Sequence, residues 1–106
     1  CLGTAIQLIN ILRDASADAA LGRIYLPQDQ LRAGNVRNDD VLARKSSPEY
    51  RRVVRSVSER ADCLLGDAEE GKTTLPGLGP LFVQVIVELY RGYLEELELR
   101  GYDNLA

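Results

Sequence analysis

The opening stretch, residues 2–20, is apolar on nearly every side of the helix it would form: Leu2, Ala5, Ile6, Leu8, Ile9, Ile11 and Leu12 leave no broad polar face. A helix of that kind is buried among other helices. The rest of the chain offers few to surround it, and the sequence starts without Met. The expectation is therefore an all-α piece of a longer chain whose missing helices complete the packing.

The remainder reads as helices joined by short breaks. Gly22-Arg23-Ile24-Tyr25-Leu26-Pro27 interrupts the helical period and reads as an extended connection. Pro27 can open a short helix through Leu31, closed by Gly34. Asn38 is an N-cap candidate for another turn over residues 39–43. Ser47 before Pro48 and Glu49 is a stronger start, with Ser46 and Glu49 as a capping-box alternative. From there Tyr50, Val53, Val54, Val57, Ala61, Leu64, Leu65 and Ala68 recur every three or four residues, one stripe of a long amphipathic helix ending at Gly71. Residues 72–79 form a loop. Pro80 starts a last helix with a stripe of Val83, Ile86, Leu89, Tyr90, Tyr93, Leu94 and Leu97, ending at Gly101.

Against this background the polar residues of the first segment need a reason to be there. Gln7, Asn10, Asp14 and Asp18 follow one another at three, four and four residues. That spacing stacks them on one helix face, neighbours rising by about 6 Å along the axis. Two carboxylates so close repel each other, and burying them is costly unless cations neutralise them. Sparse oxygen ligands with room for water and phosphate suit Mg²⁺ bridging to a diphosphate, and Arg13 and Arg23 can supply charge to the same phosphate oxygens. A D-x-x-x-D pair is also a common accident: Asp18 can face solvent at a helix end, and Asn10 can satisfy a backbone carbonyl.

Composition removes other chemistries. With no His, Cys1 and Cys63 cannot be completed into a zinc set and read as buried or free thiols. The net charge of −3 and scattered basic residues give nucleic acid no concentrated basic face. The apolar runs are broken by Gln, Asn or Glu before they reach membrane-spanning length.

A longer string is more specific than the aspartate pair. Leu2-Gly3-Thr4-Ala5-Ile6-Gln7-Leu8-Ile9-Asn10-Ile11-Leu12-Arg13-Asp14, then Asp18, then Gly22-Arg23-Ile24-Tyr25-Leu26-Pro27-Gln28-Asp29-Gln30-Leu31 closely resembles squalene and phytoene synthases around their second aspartate motif. Asp67-Ala68-Glu69-Glu70-Gly71, Leu89-Tyr90-Arg91 and Gly101-Tyr102-Asp103-Asn104 resemble the late helices of the phytoene enzymes, so the likeness covers nearly the whole chain.

The resemblance implies the C-terminal part of an isoprenoid synthase helical bundle, residues 1–106 being a partial domain without the half that carries the first aspartate motif. It implies a magnesium-dependent prenyltransferase, with manganese as a substitute ion. Such enzymes join two geranylgeranyl diphosphates head to head through prephytoene diphosphate to phytoene, a step of carotenoid biosynthesis, and phytoene formation needs no NADPH. By position, Asn10, Asp14 and Asp18 would be metal ligands, the two aspartates being catalytic. Gln7, Arg13 and Arg23 would contact substrate or its diphosphate, Tyr25 would border the cavity, and Tyr90 would lie near the substrate unless it is a core aromatic. A plant or algal parent would work in the plastid; a bacterial one would be cytoplasmic, and either would associate peripherally with membranes.

Three features pull against full activity. Ser16-Ala17-Asp18 stands where the family usually has Gly-Glu-Asp, and Ala20 and Leu21 replace basic residues. No second D-x-x-x-D occurs; Asp67, Glu69, Glu70, Glu95, Glu96 and Glu98 read as solvated helix faces. The chain alone is thus expected to be inactive. Squalene or dehydrosqualene synthesis is the nearest alternative, and a non-catalytic helical scaffold of the same fold is the alternative from another class.

Overall fold

The computed structural model of the chain describes residues 2–105, so the reading of Cys1 lies outside the described residues, while Cys63 is a free, exposed thiol. The described residues are all-α, without a strand: α1 (Leu2–Arg13), α2 (Ala15–Ala20), α3 (Gln28–Ala33), α4 (Asn38–Leu42), α5 (Pro48–Gly71) and α6 (Gly79–Leu99), with a 3₁₀ turn at Lys72–Thr74.

The long helix α5 organises the rest. The Ser47 hydroxyl accepts a hydrogen bond from the Tyr50 amide at 3.1 Å, with Pro48 in the first turn, as the Ser-Pro-Glu start predicts. Its stripe of Tyr50, Val53, Val54, Val57, Ala61 and Leu65 is buried, and Leu64 and Ala68 pack at the margin. Against it lie α1, through Ala5, Ile9 and Leu12, and α6, through Val83, Val87, Leu94 and Leu97. A polar seam closes the far end of the α5–α6 pair. Gln84 donates to Glu69 at 3.1 Å and accepts from Lys72, while Arg91 reaches Glu69 at 3.5 Å and Asp62 at 3.2 Å. Glu69 is therefore half-buried in an inter-helix seam rather than on a solvated face. The Gln84 hydrogen bond, followed by the Arg91 charge, holds its carboxyl below the usual range.

Four expectations are corrected. Residues 2–20 are not one helix: the chain breaks at Asp14 (φ −95°, ψ 5°) into α1 and α2. The turn assigned to residues 39–43 begins one residue earlier, with Arg37 in the cap position and no side-chain cap. The last helix starts at Gly79, with Pro80 in its first turn. On α6, Val87 rather than Leu89 faces the core, and Leu89 is 70% exposed. That helix carries apolar residues on two faces, so periodicity alone does not say which face turns inward.

Helix α1 shows the same division. Ala5, Ile9 and Leu12 are fully buried, whereas Leu2, Ile6, Leu8 and Ile11 are only half-buried.

Candidate functional site

The outer side of α1 opens onto a pocket of about 460 Å³ lined by Gly3, Ile6, Gln7, Asn10, Ile11, Asp14, Asp18 and Tyr25. Helical spacing brings Gln7, Asn10 and Asp14 to this side, and α2 continues the row with Asp18 despite the break. Five of the eight candidate residues, Gln7, Asn10, Asp14, Asp18 and Tyr25, thus share one concavity.

Arg23 is placed beside it by the end of α2. The Gly22 amide donates to the Ala19 carbonyl at 3.0 Å and the Arg23 amide to the Asp18 carbonyl at 2.8 Å, a Schellman ending with Gly22 at φ +75°. A side chain at Gly22 would strain that left-handed conformation. The turn sets Arg23 with Asp18 and Tyr25 around a small neighbouring cavity.

The other two candidates are elsewhere. Arg13 is exposed and paired with Asp14, its Nε 3.1 Å from Oδ1. The hydrogen bond and charge of Asp14 hold the Arg13 guanidinium above its ordinary pKa. Tyr90 packs at the margin of the hydrophobic core, the core reading considered from the sequence.

Two observations bear on whether these residues suit a metal. The Asn10 Oδ1 is buried and has no hydrogen-bond partner, although a buried acceptor normally finds one. Asp14 occupies the N-cap position of α2, where a carboxylate commonly caps backbone amides, yet its side chain makes no cap hydrogen bond. An unsatisfied amide oxygen and two carboxylates on one pocket form a hard-oxygen donor set. It is too small for a closed cage, and it leaves coordination positions for water and phosphate, the arrangement Mg²⁺ favours. Among the described residues no group of three or more His, Cys, Asp or Glu side chains is placed to hold a metal alone.

The family model described as squalene/phytoene synthase matches residues 1–106. The chain belongs to the squalene/phytoene synthase family. Within it, the chain is 39% identical over 105 residues to phytoene synthase 1, chloroplastic, of Arabidopsis thaliana and 44% identical to phytoene synthase 3, chloroplastic, of Zea mays, covering 99% of this chain and 25% of each relative. The phytoene synthase of Thermus thermophilus is 39% identical, with 99% of this chain and 36% of the relative covered. The crystal structure of squalene synthase HpnC from Alicyclobacillus acidocaldarius superposes with a TM-score of 0.89 at 27% identity, over 94% of this chain and 38% of that one. The chain therefore spans between a quarter and two fifths of the length of these relatives.

Sequence reasoning missed the residues behind the site. Tyr50 entered only as a core aromatic, Asn104 only as part of a matching string, and Ser16 only as a departure from the family. All three take part in one hydrogen-bonded junction at the Asp14 break. No local spacing signals it, because its members are separated by 54 to 92 residues along the chain.

Proposed function

We propose that this chain is the second-aspartate-motif portion of a magnesium-dependent prenyltransferase that condenses two geranylgeranyl diphosphates head to head, through prephytoene diphosphate, to phytoene. The observation that carries the reading is the orphaned Asn10 Oδ1 on the same pocket as Asp14 and Asp18. The identities of about 40% to proteins named phytoene synthase support this product over others of the family.

In this reading Asn10, Asp14 and Asp18 hold the metal, with Mn²⁺ as a substitute for Mg²⁺. A metal held there would offset the negative charge that develops on the diphosphate as it leaves. Arg23, beside Asp18, meets the outer phosphate oxygens, and Arg13 joins it by exchanging its Asp14 partner for phosphate. Gln7, one turn before Asn10, orients the chain of the substrate next to its diphosphate. Ile6 and Ile11 give the pocket apolar walls that keep water from an allylic cation, and Tyr25 covers the rim. Tyr90, packed against the core and outside the pocket lining, remains a core aromatic in this reading.

The chain alone lacks a second D-x-x-x-D pair and is inactive in this account. Full-length protein supplied with geranylgeranyl diphosphate and Mg²⁺ is expected to release phytoene without NADPH. Recovery of phytoene from the 106-residue chain alone would overturn its predicted inactivity. Product found only with NADPH would favour squalene formation, the alternative that the HpnC likeness supports. Binding of neither Mg²⁺ nor diphosphate would favour a scaffold, the reading to which Ala17 lends weight. The enzyme works in the plastid if the parent is a plant or alga, as the names of the plant relatives suggest, and otherwise in the cytoplasm. Its lipophilic substrate and product favour peripheral membrane association.

A further inference from the structure

The break between α1 and α2 has a specific physical construction. The helical ladder runs to the Asp14 amide, which donates to the Asn10 carbonyl at 3.0 Å, and resumes with the Asp18 amide on the Asp14 carbonyl at 2.8 Å. The Leu12 carbonyl lies at this join, in the last turn of α1, and a buried carbonyl needs hydrogen-bond partners. Asn104, from the other end of the chain, supplies one: its Nδ2 donates to the Leu12 carbonyl at 2.8 Å.

Asn104 is itself fixed. Its Oδ1 accepts from the Tyr50 hydroxyl at 2.7 Å, so its amide orientation is set by two different partners. Both residues are buried, Tyr50 completely and Asn104 to 8% exposure. A third tie runs alongside, the Ser16 hydroxyl donating to the Leu105 carbonyl at 3.3 Å. The tail reaches this place because α6 ends in a Schellman turn. The Gly101 amide donates to Glu98 and the Tyr102 amide to Leu97, with Gly101 at φ +67°, and the chain folds back onto α1.

We infer that Asn104, held by Tyr50, is a positioning residue for the metal pair: by occupying the Leu12 carbonyl it stabilises the break that sets Asp18 relative to Asp14 and Asn10. A continuous helix would return Leu12 to its own ladder and rotate Ala15–Ala20 with respect to α1. The inference rests on the proposed metal–diphosphate reading for its functional consequence, but not for its structural one. Asn104 touches neither metal nor substrate; it acts through the backbone.

The test uses the full-length protein, with inorganic pyrophosphate and Mg²⁺ as the probe. Asn104→Ala is expected to slow amide hydrogen exchange at residues 15–17, which a continuous helix bonds to the carbonyls four residues earlier, while α5 stays protected, and to weaken Mg²⁺-dependent pyrophosphate binding by about tenfold or more, the range typical of partners behind metal ligands. Tyr50→Phe leaves the Leu12 bond in place but frees the Asn104 amide, and is expected to move both readouts in the same direction by less. Should Asn104→Ala fail to fold, Tyr50→Phe decides: slower exchange confined to residues 15–17 supports the inference, and unchanged or faster exchange overturns it. Unchanged exchange and affinity in a folded Asn104→Ala protein also overturn it, leaving the tail as packing only. The parent reading fails separately, if Asp14→Asn binds pyrophosphate with Mg²⁺ as the wild type does; the exchange data then still decide whether Asn104 sets the break.

Discussion

The two sides of α1 obey different physics. Ala5, Ile9 and Leu12 are at most 1% exposed and contribute stability by leaving water. On the opposite side Asn10 keeps an orphaned oxygen and Asp14 forgoes the cap it could make, so polar capacity is withheld from the fold. In the proposed reading, stability and ligand capacity are thus separated across the width of one helix. The two long helices repeat the contrast. Helix α5 buries its one apolar stripe, whereas α6 buries one stripe and exposes a second, with Leu81, Phe82, Val85 and Leu89 between 57% and 70% exposed. Contiguous apolar surface of that kind marks interaction or association.

If this division is right, mutations should separate by face. The largest effect on stability is expected from Leu12→Ala, which opens a cavity under the fully buried side and should cost about 2–5 kcal/mol in denaturant unfolding of the full-length protein. A cost near zero would mean that α1 does not rely on its contact with α5. Tyr50→Phe removes one buried hydrogen bond and is expected to cost about 1 kcal/mol.

Tyr50 also gives the contrast a pH signature. Burial holds its phenol well above the ordinary range, although the Asn104 hydrogen bond pulls the other way. The unfolded phenol titrates near pH ~10. Above that pH the unfolded chain loses its proton before the fold does, so this contribution is complete below pH ~10 and is lost as the pH rises further. Unfolding midpoints measured from pH 8 to 11 should therefore fall at the alkaline end, and less steeply in Tyr50→Phe. Burial raises Tyr93 and Tyr102 too, so some slope will remain. An identical slope in Tyr50→Phe would mean that the phenol is not held in its buried, neutral form.

The smallest effect is expected on the exposed stripe of α6. Phe82→Ser and Leu89→Ser in the 106-residue chain should change unfolding free energy by no more than about 0.5 kcal/mol. They should also reduce self-association seen by light scattering. A large loss of stability would show that this face is packed within the chain after all.

These contrasts explain what the sequence could and could not reveal. The α5 helix was legible in full, because one stripe at helical spacing and a Ser-Pro-Glu start permit only one inward face. The row from Gln7 to Asp18 was legible as a row, since spacing alone stacks it. Its break was not, because the group that stabilises the break comes from Asn104, 92 residues beyond Leu12. Arg13 was assigned to phosphate by its charge, but spacing does not show that Asp14 already occupies it. Leu89 was misplaced for the opposite reason: two apolar stripes on α6 gave periodicity two equally good answers.

The most direct test of the central claim is calorimetric titration of full-length protein with a non-hydrolysable geranylgeranyl diphosphate analogue, with and without Mg²⁺, in the wild type, Asp14→Asn and Asp18→Asn. The account predicts binding that requires Mg²⁺ and weakens by about 100-fold or more in either variant, while unliganded stability changes by no more than about 0.5 kcal/mol because both carboxylates lie on the open side. Equal affinity without Mg²⁺, or equal affinity in the variants, would contradict it.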